Sequence, residues 1–203
     1  MKISKIETIY AQTEVINSSL YIEKRQSVID AIQQINWPKG TGKFSIYPES
    51  GKKRGQGNGV KAIKISFLDY LEQQGWTTEL RINSSWRRKY GGIDAVFIQD
   101  QVTIAVEWET GNVSSSHRSL NKLCLFIKKQ IIRAGFLVVP CRNLAQYLTD
   151  RIGNFEELEP YFEFWQSALE SSQGALEIIG IEHDETSYDV PRIPKGTDGR
   201  ARN

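Results

Sequence analysis

The chain has 203 residues, 39% hydrophobic and 25% charged, with a formal net charge of +2. That balance excludes a disordered or collagen-like chain, and the length suits one α/β domain with a substantial core, taken here as 1–203. No secretory segment and no run able to span a bilayer is present, so the expected location is cytoplasmic with no membrane partner, and Cys124 and Cys141, lacking CxxC spacing, are expected to be reduced core thiols.

The N-terminal third reads as helix. Residues 18–35 place apolar side chains at 20, 22, 28, 29, 32 and 35, a helical stripe stopped by NWPKG. Residues 51–64, GKKRGQGNGVKAIK, open as a glycine-rich loop carrying five lysines or arginines and no acid. A second helix is predicted over 62–75, ended by Gly75, then a short strand near 78–82 and another acid-free basic stretch, RINSSWRRKYGG, at 81–92. Each basic cluster reads either as a solvated loop or as a phosphate-binding surface. Their position on both sides of a carboxylate group favours the second reading, with residues 52–54 and 87–89, Lys61 and Lys64 as sequence-independent contacts.

IDAVFI (93–98) and VTIAVEW (102–108) form a predicted hairpin joined by QDQ. A long serine-capped helix follows at 114–132, with an apolar stripe at 120, 123, 124, 127 and 131 suited to burial. GFLVVP (135–140) has the continuous apolar character of a buried strand. A helix is expected at 142–151, a Pro160-broken helix after it, another central strand at 175–181, and an irregular C-terminal arm over about 185–203. The order of elements suggests a mixed central β-sheet with helices on both faces.

In AVEWETGN, Glu107 and Glu109 lie one residue apart, so a strand points both to the same face. If the hairpin turns near residue 100, Asp94 lies almost opposite Glu107. Three carboxylates then converge at one end of a sheet, where they stay ionised only if cations neutralise them. Magnesium suits oxygen ligands and keeps waters that can attack a phosphodiester; the plainer reading is an exposed strand end with unrelated acids.

The spacing itself resembles a known motif. Asp94, twelve intervening residues and Glu-x-Glu resemble the restriction-endonuclease pattern PD…(D/E)xK, with glutamate in place of lysine and isoleucine before the aspartate. That variant, with AVEWETGNVSSSHRSLNKLCLF, LTDRIGNFEELEPYFEF and IPKGTDG in order between about residues 58 and 199, resembles the BamHI-like family of type II restriction endonucleases. The first 50 or so residues match weakly apart from Trp37-Pro38.

The resemblance implies a restriction-endonuclease-like α/β core. It implies a magnesium-dependent homodimer that cuts both strands of palindromic DNA, G^GATCC, leaving 5′-phosphates and four-base 5′ overhangs. Asp94, Glu107, Glu109 and, from the preceding strand, Glu79 would form the catalytic and metal-binding site, with two Mg2+ per site. Asn112, Ser114, Arg118, Asp150 and Arg151 would contact bases, Lys64 a phosphate, and Asp198 and Gly199 the minor groove. The helix stripe gains a second use, packing against its counterpart in the dimer. The chain runs five residues past Asp198, so the arm is expected to be flexible when free and ordered on DNA. Two alternatives stay open: an endonuclease of this fold with another GATC-containing target, and a catalytically inactive sequence-specific DNA-binding protein.

Overall fold

A computed structural model of the chain describes residues 1–53, 55–78, 90–149 and 151–195. In chain order its elements are β1 (Lys2–Ala11), α1 (Thr13–Ile16), α2 (Ser19–Gln33), β2 (Ser45–Ile46), α3 (Lys61–Gln73), β3 (Thr77–Thr78), β4 (Ala95–Gln99) and β5 (Val102–Trp108). They continue with α4 (Val113–Lys128), β6 (Ala134–Pro140), α5 (Arg142–Ala145), α6 (Phe155–Leu158), a 3-10 turn at Glu159–Tyr161, α7 (Phe162–Leu169), β7 (Ala175–Glu182) and β8 (Glu185–Thr186).

The two runs that lack polar alternation, β6 and β7, are buried along their whole length. A strand covered on both faces has no use for alternation, and these two lie inside a six-stranded sheet of order β1-β7-β6-β5-β4-β3. β5, β6 and β7 run parallel, and the remaining pairs are antiparallel. On one face α2 and α3 pack Val28, Ile32, Phe67 and Leu71 against Val106, Phe136, Val138 and Ile179. On the other, α4 and α7 pack Leu120, Leu123, Ile127 and Trp165 against Ala105, Leu137, Val139 and Ile178. The expected α/β fold with a mixed sheet between helical layers is therefore the fold found.

Three local readings change. The N-terminal ten residues are an edge strand and not helix. Its register slips between Ile3 and Lys5 and again between Thr8 and Tyr10, so its isoleucines at 3, 6 and 9 show no period of two. The helix expected at 142–151 stops at Ala145. Beyond it the backbone is drawn into contacts with distant chain: Asn58 N donates to Tyr147 O at 2.8 Å and Thr149 N to Asn58 O at 2.8 Å. Within the expected irregular arm, Glu185 and Thr186 pair in parallel with Ser45 and Ile46.

Cys124 and Cys141 are buried free thiols, and burial pushes them up to about 12 and about 11. No helix among the described residues is long and apolar enough to cross a membrane.

The packing of α4 on the sheet sets the position of everything it presents to the strands. Leu123, fully buried on α4, lies close to Gly135 of β6, where a Cβ would stand 3.3 Å from its Cδ2. Leu123→Ala should lower the unfolding free energy by about 2–5 kcal/mol through the cavity it leaves. Urea unfolding reads this directly, and a loss below about 1 kcal/mol would show that α4 is not held by this contact.

Candidate active site

The β4–β5 hairpin pairs Ala95 with Val106 through Gln99 with Val102, and it turns on Asp100 and Gln101, both at positive φ (48° and 67°). Two such residues form the tight turn whose twist matches paired strands. Continued by one step, that register brings Asp94 level with Glu107. Asp94 Oδ2 accepts from Trp108 N at 2.8 Å, and Oδ1 accepts from Lys64 Nζ of α3 at 2.6 Å.

Strand alternation sends Val106 and Trp108 toward α3, where the Trp108 ring lies 4.7 Å from that of Phe67. Glu107 and Glu109 are sent the other way, toward α4. There two residues at helical i, i+3 spacing meet two at strand i, i+2 spacing. Ser119 Oγ donates to Glu109 Oε1 at 2.7 Å, and Lys122 Nζ forms a close ion pair with Glu107 Oε1. Lys122 also donates to Gly92 O at 2.6 Å, so it joins α4 to the segment leading into Asp94. Glu109 N donates to Val138 O at 2.9 Å and fixes the strand end against β6.

Burial pushes the Glu107 carboxyl up to about 8. Lys122 opposes that shift, and the neighbouring charges of Asp94 and Glu109 add to it. The Lys122 ammonium sits directly on Glu107 Oε1. No three His, Cys, Asp or Glu side chains among the described residues form a preassembled metal cluster. The donor chemistry nonetheless fits a hard cation. Asp94 and Glu107 are oxygen ligands that line one cleft, near enough for the Asp94 charge to raise the Glu107 carboxyl, and such a pair suits a hard cation.

All these groups line one cleft of about 1280 Å³, larger than an ordinary small-molecule pocket. Lys64, Asp94, Glu107, Glu109, Asn112, Ser114 and Arg118 line it. Asn112 caps α4, its Oδ1 accepting from Ser115 N at 3.0 Å, so the cap is the asparagine and not the serine expected. Ser114 and Arg118 are exposed on the first turns of α4, whose N-terminus is electropositive. Arg151 is exposed at positive φ (58°) in a loop and does not end a helix. Its neighbour Gly153 donates to Gly111 O at 2.8 Å, which sets this loop beside the Asn112 turn. Glu79, Asp150, Asp198 and Gly199 lie outside the described residues, as do Arg54 and 87–89.

Sequence reasoning passed over Ser119 and Lys122. The signal was present as a serine and a lysine three apart on the helix following the two glutamates, but it has meaning only once that helix is known to fold back over β5. Lys64, expected as a phosphate contact, is the counter-ion of Asp94.

The family profile described as restriction endonuclease BamHI matches residues 1–200. The chain is 41% identical over 201 residues to the type II restriction enzyme OkrAI of Oceanobacter kriegii, covering 99% of each protein. It is 38% identical over 189 residues to the type II restriction enzyme BamHI of Bacillus amyloliquefaciens, covering 90% of this chain and 82% of that one. Among solved structures it resembles the restriction endonuclease BglII complexed with a DNA 16-mer, with a TM-score of 0.67 at 12% identity, over 91% of this chain and 79% of that one.

The Glu107 environment has a consequence for metal-free stability. A carboxyl raised to about 8 in the folded protein holds a proton that the unfolded chain, near 4.5, has released. Its contribution is therefore fully present below the unfolded value and is lost as pH rises toward about 8. Glu107→Gln removes that dependence. Denaturant unfolding in chelator should show the stability of the variant relative to the unsubstituted protein increasing with pH across this window, by at most about 1.4 kcal/mol per pH unit. A pH-independent difference would mean that Glu107 titrates normally.

Proposed function

The chain belongs to the BamHI family of type II restriction endonucleases, and from that premise we propose that it acts as a homodimer on palindromic double-stranded DNA, cutting G^GATCC in a magnesium-dependent reaction. The observation that carries the catalytic reading is the convergence of Asp94, Glu107 and Glu109 on one cleft that the N-terminus of α4 also lines. A surface that only bound DNA would gain nothing from anions facing phosphates.

Asp94 and Glu107 would hold the cation, which supplies Lewis-acid stabilisation of the attacking water and the leaving 3′-oxygen. Glu109 and Glu79 are the candidates for a second cation. Glu109, its Oε1 fixed by Ser119, is placed to orient the water, the task lysine performs in most proteins with this motif. Water attacks phosphorus, the P–O3′ bond breaks, and the phosphate stays on the 5′ end. Lys64 stands beside Asp94, where it would meet the scissile phosphate once a cation takes up the carboxylate charge.

Beyond the carboxylates the chain turns at once into α4. This places the capping Asn112, Ser114 and Arg118 on the cleft wall, with Arg151 in the adjoining loop, where their amide, hydroxyl and guanidinium groups can read base edges. Asp150, Asp198 and Gly199 would complete that contact set. Alpha-helix 4 does not offer its apolar stripe to a second subunit, because Leu120, Leu123, Cys124 and Ile127 are used in the chain's own core. The exposed Tyr161 and Phe164, 50% and 67% accessible, supply apolar surface beside α4 for a two-fold contact.

The protein incubated with a plasmid carrying one GGATCC should linearise it in magnesium and not in excess EDTA, with ends cut after the first G. Ends mapping to another GATC-containing sequence would replace the target, and cutting in EDTA would remove the metal from the mechanism. Glu109→Lys should retain metal-free affinity for the site while single-turnover cleavage falls by at least about 100-fold. Near-unchanged cleavage would show that Glu109 does only what lysine does elsewhere.

A further inference from the structure

The glycine-rich loop that leads into α3 is built around one buried side chain. Asn58 is fully buried, and all its hydrogen-bonding directions point at backbone from distant parts of the chain. Its Nδ2 donates to Tyr47 O at 2.8 Å and to Tyr147 O at 2.9 Å, and its Oδ1 accepts from Ile193 N at 3.2 Å. Its own N and O pair with Tyr147 O and Thr149 N, and the next residue, Gly59, donates to Ile193 O at 2.8 Å. The glycines serve this arrangement. A Cβ on Gly51 would stand 1.6 Å from Leu148 O, and one on Gly59 2.0 Å from Pro194 O, so only glycine lets the three backbones lie together.

The tied segments share a destination. Gly59, Val60, Lys61 and Lys64 continue from Asn58 onto the cleft wall, and Lys64 ends on Asp94. Thr149 and Ile152 reach the same cleft from the second segment, next to Arg151, and Lys195 reaches it from the third. Lys195 Nζ also donates back to Gln56 O at 2.7 Å. Asn58 itself does not line the cleft. A planar amide with two donors and one acceptor fixes three partners in one plane, so none can shift without breaking a buried hydrogen bond.

We propose that Asn58 is a positioning residue that couples the base-reading side of the cleft, through residues 147–149 and 193–195, to the catalytic side, through Lys64 and Asp94. Non-cognate DNA that displaces the Arg151 loop or the C-terminal segment then displaces the start of α3 and with it the counter-ion of Asp94. Cleavage is thereby made conditional on correct contact. This inference rests on the proposed endonuclease function, since it needs both base contact and cutting.

The test uses the full chain in three arms. Asn58→Leu keeps the side chain's approximate size and removes its hydrogen bonds. Gly59→Ala leaves Asn58 in place and pushes Pro194 away. Each is measured for metal-free affinity on GGATCC and on single-base variants, and for single-turnover cleavage at saturating enzyme, at a temperature where the variant is folded. The expected result is a loss of about ten-fold in the ratio of cognate to variant-site cleavage, beyond any loss of thermal stability, as coupling of this kind gives. In the unsubstituted protein, amide exchange at Gly59, Thr149 and Ile193 should slow together on cognate DNA and not on random DNA. Folded variants that keep full discrimination, or amides protected equally by both DNAs, would overturn the inference even if the variants melt lower. If neither variant folds, the amide measurement alone decides. Failure of the unsubstituted protein to cut any DNA would instead reject the endonuclease reading.

Discussion

Two glutamates one residue apart on a buried strand face impose the constraint on which the rest of the site depends. Glu107 is 3% exposed, so its charge must be matched from within the protein or suppressed by a proton. The match comes from α4. The chain leaves β5, turns at Gly111, caps α4 with Asn112 and brings Ser119 and Lys122 back over the strand it has just left. The turn after the carboxylates therefore serves two ends: it returns the neutralising side chains, and it points the helix N-terminus along the cleft. Lys122 also grips Gly92 O, so both carboxylate-bearing segments are referred to one helix.

On the opposite face α3 contributes a similar element. Lys64 pairs with Asp94 while Phe67, one turn on, packs against Trp108. Lys64 and Lys122 each pair with one of these acids, and in the proposed reaction they would give way to the divalent cation that Asp94 and Glu107 would hold. The phosphate would then face Lys64. Lys64, expected from sequence as a phosphate contact, is found as a carboxylate partner, and under the proposed function it would serve the phosphate after a cation is bound.

Some of this was legible in the sequence for local reasons. The hairpin could be placed because strand alternation and the short QDQ connection together set its register, and from that register Asp94 falls opposite Glu107. The continuous apolar run at β6 announced a strand covered on both faces, and 175–181 was legible as a further central strand. Other parts were hidden because their causes are not local. β1 has two register slips, which erase the alternation by which a strand is read. LAQYL has helical spacing, yet its backbone is taken up by Asn58, 89 residues away, and the helix ends at Ala145. The glycines of 51–59 were visible, but their reason, contact with the carbonyls of Leu148 and Pro194, exists only in three dimensions. Ser119 and Lys122 were hidden in the same way, as an ordinary polar helix face until the sheet supplies their partners.

Lys122 holds the buried Glu107 carboxylate, and the hold of α4 on the site turns on that pair. A double-mutant cycle on metal-free protein tests it most directly. Glu107→Gln, Lys122→Met and the double variant would be unfolded in urea at about pH 8.5, where Glu107 is largely ionised, and a coupling free energy of about 1–3 kcal/mol between the two positions is expected. Additive effects, with coupling near zero, would show that the two side chains do not depend on each other and would contradict the account of how α4 holds the site.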